Sequence, residues 1–181
     1  MSVADEVFNL FSRHGAGAYY GESVSMLEHA LQAAHFAHQE GAPPQLILAA
    51  LLHDVGHLLE DVPDDIAEWT QDAQHEIVGG AWLARRFGEA VSDPVRLHVP
   101  AKRYLCATDA TYLKQLSQAS VITLKLQGGP MSAGEIAAFE AEPSYREAVR
   151  VRLCDDRGKV AGLPTATLAS YRSLIEELAR E

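Results

Sequence analysis

Four histidines, His29, His53, His75 and His98, recur at steps of 24, 22 and 23 residues, and an aspartate, Asp54, directly follows the second. An acidic pair, Asp155-Asp156, closes a late segment of helical pattern. Imidazole and carboxylate together suit borderline and hard divalent ions such as iron, manganese and zinc. A carboxylate beside a histidine has a further use, because its two oxygens can bridge two metals while the imidazole binds one. Taken singly, a histidine on an apolar helix face is more often packed than ligating. The run Leu51-Leu52-His53-Asp54-Val55-Gly56-His57 shifts that balance. An ionised aspartate in so apolar a stretch is costly to bury unless a cation compensates it. The residue types and their spacing therefore predict a metal site.

Helices must carry these side chains to one point, as facing helices of a bundle do. Leu27, Ala30, Leu31, Ala34 and Ala37 recur at three- and four-residue steps, the pattern of a buried helix face. Pro43-Pro44 ends that element and opens a helix from Gln45 to Leu59, with proline at the favoured first turn. Further helices are predicted over Gln71 to Phe87, Pro94 to Ala107 with an interruption at Pro100, Tyr112 to Leu126, Ser132 to Ala141, Pro143 to Asp155 and Thr165 to Arg180. Gly128-Gly129-Pro130 and Gly158 separate the later ones. No segment of five or more residues alternates cleanly enough for a strand. The expectation is an all-α bundle of seven to nine helices, folded as a single domain over residues 1–181.

The 181 residues and 48% apolar content bound the rest: a chain of this size buries a substantial core, and disorder and fibres are excluded. A net charge of −10 argues against nucleic acid or an anionic membrane as partner, since both require a basic surface. Cys106 and Cys154 lie 48 residues apart without a CxxC, which gives neither a disulfide scaffold nor a sulfur metal site. Met1 to Leu10 has no basic n-region or apolar core of a leader, and the longest apolar run, Leu46 to Leu52, is far short of a membrane span. A soluble, cytoplasmic protein is expected, with oligomeric state undetermined.

The order His29…His53-Asp54…Asp155 resembles the H…HD…D signature of the HD-domain superfamily of metal-dependent phosphohydrolases, an all-α helical bundle. The additional His75 and His98 resemble its dinuclear members, in which six ligands hold two metals. Tyr19-Tyr20-Gly21-Glu22 followed by Met26-Leu27-Glu28-His29 is similar to the opening segment of the mixed-valent di-iron HD oxygenases that cleave carbon–phosphorus bonds. Members of that family oxidise 2-amino-1-hydroxyethylphosphonate or its N-trimethylated analogue. Asp155 to Lys159 also matches the Asp-x-x-x-Lys ending of the more distant myo-inositol oxygenase, which favours Asp155 over Asp156 as ligand.

This resemblance, which covers about Tyr19 to Lys159, implies the following roles. His29, His53 and Asp155 hold one iron, His75 and His98 the other, and Asp54 bridges an Fe(II)/Fe(III) pair that uses O2 as co-substrate. His57, four residues after His53, and Lys102, four after His98, contact the phosphonate, and Ser120 and Arg152 complete the anion pocket. Lys, Arg, His and Ser are the charge-assisted donors a phosphonate dianion needs. Tyr19 would fill the open position of the second metal until substrate arrives, and Glu22 would receive a substrate ammonium. Products would be phosphate with glycine or glycine betaine; a hydroxymethylphosphonate, having no amine, would leave Glu22 without a task. Tyr20, Trp69 and Tyr104 are aromatic candidates for a quaternary ammonium, with no position assignable from sequence. Singly, Lys102 and Arg152 read as solvated surface charges, Tyr19 as a packing residue and Ser120 as a helix-interior filler. An HD phosphohydrolase of a nucleotide or other phosphate ester, and a non-catalytic HD module, remain open alternatives.

Overall fold

The computed structural model describes residues 1–59, 72 and 74–180. Among these the chain is all-α, with one isolated antiparallel bridge between Ala18 and Ser25 and no strand. The α-helices are α1 (Val3–His14), α2 (Met26–Gln39), α3 (Pro44–Leu52), α4 (Val55–Leu59), α5 (His75–Ala84), α6 (Glu89–Arg96), α7 (His98–Thr108), α8 (Gln118–Leu126), α9 (Ala133–Glu140), α10 (Tyr145–Arg157) and α11 (Arg172–Leu178). Eleven described helices exceed the expected seven to nine, and each excess has a local cause.

Helix α1 begins at a capping box, with the Ser2 side chain on the amide of Asp5 and Asp5 reaching back to Ser2. The predicted Gln45 to Leu59 helix divides at His53-Asp54, which form the joint between α3 and α4. Pro100 does not interrupt α7; it occupies the first turn, where its missing N–H costs nothing, and the break falls at Leu97 instead. Tyr112 to Leu126 also divides: Tyr112–Gln115 is a single 3-10 turn, and Ser117 caps α8 by accepting from the amide of Ser120. Of the predicted Gln71 to Phe87 helix, Gln71 lies outside the described residues, as does Trp69, and the helix runs from His75 to Ala84.

Helix α3 is the centre of the bundle. Leu46 through Leu52 are all buried, and the helix packs on α2, α6 and α10. Leu48 and Leu52 are fully inaccessible, worth about 1.5–3 kcal/mol each in removed apolar surface. A second cluster of Leu97, Ala101, Phe139 and Ala148 ties α7 to α9 and α10. No described helix is long and apolar enough to cross a membrane.

Glycines set the spacing around the α3–α4 joint. A Cβ at Gly56 would overlap the carbonyl of His75, one at Gly79 would reach 3.0 Å from the amide nitrogen of Gly56, and one at Gly80 would reach 2.9 Å from Cβ of Arg96. Gly56 and Gly79 thus let α4 and α5 nearly touch, which holds the first residue of α5, His75, against the joint that carries His53 and Asp54. Gly56→Ala is expected to destabilise the protein by about 2–3 kcal/mol through overpacking. Gly134→Ala on α9, where a Cβ meets nothing within 4 Å, should be stabilising by about 0.5 kcal/mol. Urea unfolding of the two variants measures the difference.

Candidate metal centre and anion pocket

His29 of α2, His53 and Asp54 at the α3–α4 joint, His75 opening α5, His98 opening α7 and Asp155 near the end of α10 converge in the interior. All six are buried, Asp54 being the most exposed at 8%. Asp54 stands between the histidines. Its Oδ2 lies 3.3 Å from His53 Nε2 and 3.6 Å from His29 Nε2; its Oδ1 lies 3.2 Å from His75 Nε2 and 3.5 Å from His98 Nε2. One carboxylate therefore divides the set into two triads, His29–His53–Asp54 and Asp54–His75–His98, each compact enough to hold an ion. Asp155 joins the first through Oδ1, 3.4 Å from His29 Nε2 and 3.9 Å from His53 Nε2.

The backs of the rings decide what faces the centre. His29 Nδ1 bonds the carbonyl of Gly158 at 2.8 Å, His53 Nδ1 that of Ala50 at 2.8 Å, and His98 Nδ1 that of Val95 at 2.7 Å. Carbonyls only accept, so each Nδ1 donates its proton and Nε2 is the atom left facing the centre, where a neutral ring offers a metal its lone pair. The Nε2 atoms lie close together, His29 and His53 at 3.1 Å and His75 and His98 at 3.2 Å. Two lone pairs so placed would repel; a proton or a metal ion bound there relieves this. The Oδ1 of Asp155 adds a buried acceptor with no hydrogen bond. Burial alone would lower the His53 imidazole, yet Asp54 and Asp155 hold it up at about 9. Burial would raise Asp54, and the surrounding imidazoles keep it well below the usual carboxylate range. The donor set fits two divalent ions that share Asp54.

A small solvent-open pocket lies against this cluster, lined by Asp54, His57, His75, His98 and Asp155 together with Lys102, Ser120, Thr123, Arg152 and Lys159. Lys102 and Arg152 are not solvated surface charges: they are 2% and 4% exposed. Burial and the neighbouring Arg152 lower Lys102 to about 7, and its Nζ donates to Thr123 Oγ1 at 2.8 Å. Ser120 faces the pocket from α8 and accepts from Lys159 Nζ at 3.0 Å. The buried His57 ring stacks on His75 with centroids 3.8 Å apart, and burial sets it well below the ordinary imidazole value. His57 is thus a neutral donor.

Arg152 reaches the pocket but is occupied from behind. It pairs with Asp155 Oδ2 at 2.8 Å and with Asp156, and its Nε donates to the Tyr112 hydroxyl at 3.0 Å. Asp156 belongs to this outer network and not to the metal cluster, which separates the two adjacent aspartates by role.

Tyr19 and Glu22 sit on the turn preceding α2, where Tyr20 (φ 37°) and Gly21 (φ 83°) are both left-handed. The Tyr19 hydroxyl donates to Asp54 Oδ2 at 2.7 Å and its ring stacks on His29 at 3.8 Å. Tyr19 therefore lies on the His29–His53 side, not over the His75–His98 position that the sequence reading assigned to it. Glu22 faces Lys159, with Oε1 3.7 Å from Nζ. Of the aromatic candidates, Tyr20 lines the pocket beside His57, whereas Tyr104 bonds Glu140 on the surface.

Sequence reasoning passed over several participants. Lys159 entered only as the end of a motif. Thr123 lies three residues after Ser120, one turn along the same helix face, which was a readable signal. Gln32 was not: its amide pairs with both backbone groups of Val160, at 2.8 and 3.0 Å, and so fixes the strand of chain that carries Lys159.

The HD-domain family model matches residues 26–156. A hydroxymethylphosphonate dioxygenase of Gimesia maris is 48% identical over 171 residues, covering 94% of this chain and 85% of that protein. A [1-hydroxy-2-(trimethylamino)ethyl]phosphonate dioxygenase (glycine-betaine-forming) of Leisingera caerulea is 40% identical over 177 residues, covering 98% and 90%. An uncharacterized protein of Acanthamoeba polyphaga mimivirus is 35% identical over 177 residues, covering 97% and 81%. From the geometry, Asp54→Asn should reduce bound metal from two ions per chain to one or none, whereas Asp156→Asn should leave metal content at the wild-type value. Elemental analysis of the purified variants distinguishes them.

Proposed function

The chain belongs to the HD-domain family, and from that premise we propose that it is a dioxygenase that cleaves the carbon–phosphorus bond of a 1-hydroxyphosphonate at a mixed-valent pair of irons. One observation carries this reading: two ligand triads share the two oxygens of Asp54 and open directly on a pocket walled by buried cationic and hydroxyl donors. The activities for which the Gimesia and Leisingera relatives are named support it.

Iron bound at the two positions would supply the redox chemistry that O2 requires. Everything else falls to side chains. The phosphonate meets Lys102, Ser120 and His57, and its C1 hydroxyl faces the His75–His98 position. Ser120 accepts from Lys159, so its own proton is free to be donated to a phosphonate oxygen. Arg152, paired with two aspartates, holds Asp155 toward the His29–His53 position. Tyr19 covers that position by its bond to Asp54 and must move if a ligand is to enter there.

Two substrates fit the same chemistry. With a 1-hydroxy-2-(amino or trimethylammonio)ethylphosphonate, addition of one O2 balances as phosphate plus glycine or glycine betaine, and Glu22 receives the cationic nitrogen. With hydroxymethylphosphonate the balance gives phosphate and formate. The second reading is favoured by the 3.7 Å approach of Lys159 to Glu22, which gives that carboxylate a cationic partner within the chain.

The deciding assay measures phosphate release from each substrate by iron-loaded protein with and without O2. Release that requires O2, at one O2 per phosphate, is expected; release under argon would overturn the oxygenase reading. The pH dependence follows from Lys102. A dianion binds its protonated form, which predominates only below about 7. Thus kcat/KM should fall through neutrality as pH rises, by about tenfold per unit. Lys102→Gln should remove that limb and lower kcat/KM at pH 6 by about 10–100-fold, the value of a hydrogen bond to a charged group.

A further inference from the structure

Three of the four central imidazoles are held from behind by backbone carbonyls; His75 is not. Its Nδ1 is buried and makes no hydrogen bond, and the carboxylate of the next residue, Glu76, stands near it with Oε2 at 3.7 Å. Glu76 is 5% exposed, and that Oε2 is likewise buried without a hydrogen bond. An acid in the first turn of a helix is ordinary where it is solvated, since it faces the positive end of the helix dipole. A desolvated carboxylate with an unused oxygen is costly and calls for another explanation.

We propose that Glu76 is the positioning residue of His75: its carboxylate accepts the Nδ1 proton when Nε2 ligates a metal, fixing the tautomer and ring angle and strengthening the nitrogen as a donor. A carboxylate behind a metal-bound imidazole is an effective support of this kind. The gap of 3.7 Å needs a small rotation of either side chain to reach hydrogen-bond length. Glu76 thereby makes the His75–His98 position the one whose metal affinity depends on a side chain behind the ligand, whereas His29, His53 and His98 depend on main-chain groups. This inference rests on the two-metal reading of the site.

Fe(II) titrated calorimetrically into metal-free protein under argon, with melting temperatures taken before and after loading, tests it on wild type, Glu76→Gln and Glu76→Ala. Wild type should bind two irons. Glu76→Ala should keep the first binding event and weaken the second by about 10–100-fold. Glu76→Gln, whose amide oxygen still accepts, should fall between them. The metal-free melting temperature of Glu76→Ala should equal or exceed that of wild type, because a buried carboxylate has been removed, while its rise on loading should be smaller. Two irons bound by Glu76→Ala with wild-type affinity would overturn the proposal and leave the two-metal reading intact. A metal-free melting temperature lowered as much as the loaded one would assign Glu76 a packing role only. Wild type that binds fewer than two irons would remove both readings together.

Discussion

Four imidazole Nε2 atoms meet in two pairs little more than 3 Å apart, with two carboxylates among them and all six side chains buried. That arrangement is unfavourable in itself, and the rest of the structure is organised around maintaining it. Helices α3 and α6 end in carbonyls that take the Nδ1 protons of His53 and His98, and the C-terminal residue beyond α10, Gly158, does the same for His29. The last turn of a helix has carbonyls to spare, so termini that must be satisfied anyway also orient ligands. Gly158 serves closeness as well, since a Cβ there would approach His29 Nδ1 to 3.1 Å.

The pocket beside the cluster is governed by a different balance. Asp155 would be raised by burial, but Arg152 and Lys159 hold it well below the usual carboxylate range. Arg152 in turn is buried and retained as a cation by Asp155 and Asp156. Its charge is largely compensated, and the labile positive charge of the pocket belongs to Lys102. The cationic side of the pocket is therefore buried and adjustable, with no permanently solvated basic surface. The net charge of the chain conveys nothing of this.

The fold class was legible in the period of the apolar residues, and the meeting of the histidines with Asp54 in residue identity. A carboxylate embedded in Leu51 through Gly56 has few uses other than a metal, and histidines on separate amphipathic stretches can meet only if those stretches pack. What could not be read is what depends on chain geometry. The joint at His53-Asp54 looks like uninterrupted helix in sequence, because the apolar pattern of Leu51 and Leu52 runs on through Val55, Leu58 and Leu59. Ser117 as a cap was hidden inside an apparently continuous pattern. The side of Asp54 on which Tyr19 lies depends on two left-handed residues, and Lys159 owes its place to a contact between Gln32 and Val160 across more than a hundred residues.

The supports of His29, His53 and His98 are main-chain carbonyls, and side-chain substitution at Gly158, Ala50 or Val95 does not delete a carbonyl. Selection acting on single codons therefore has little purchase on three of the four rings: their tautomers are inherited with the helices and vary only if the fold varies. The support of His75 is encoded in one side chain. Drift and adaptation among relatives can alter the balance between the two halves of the centre through that codon while the ligands themselves stay the same.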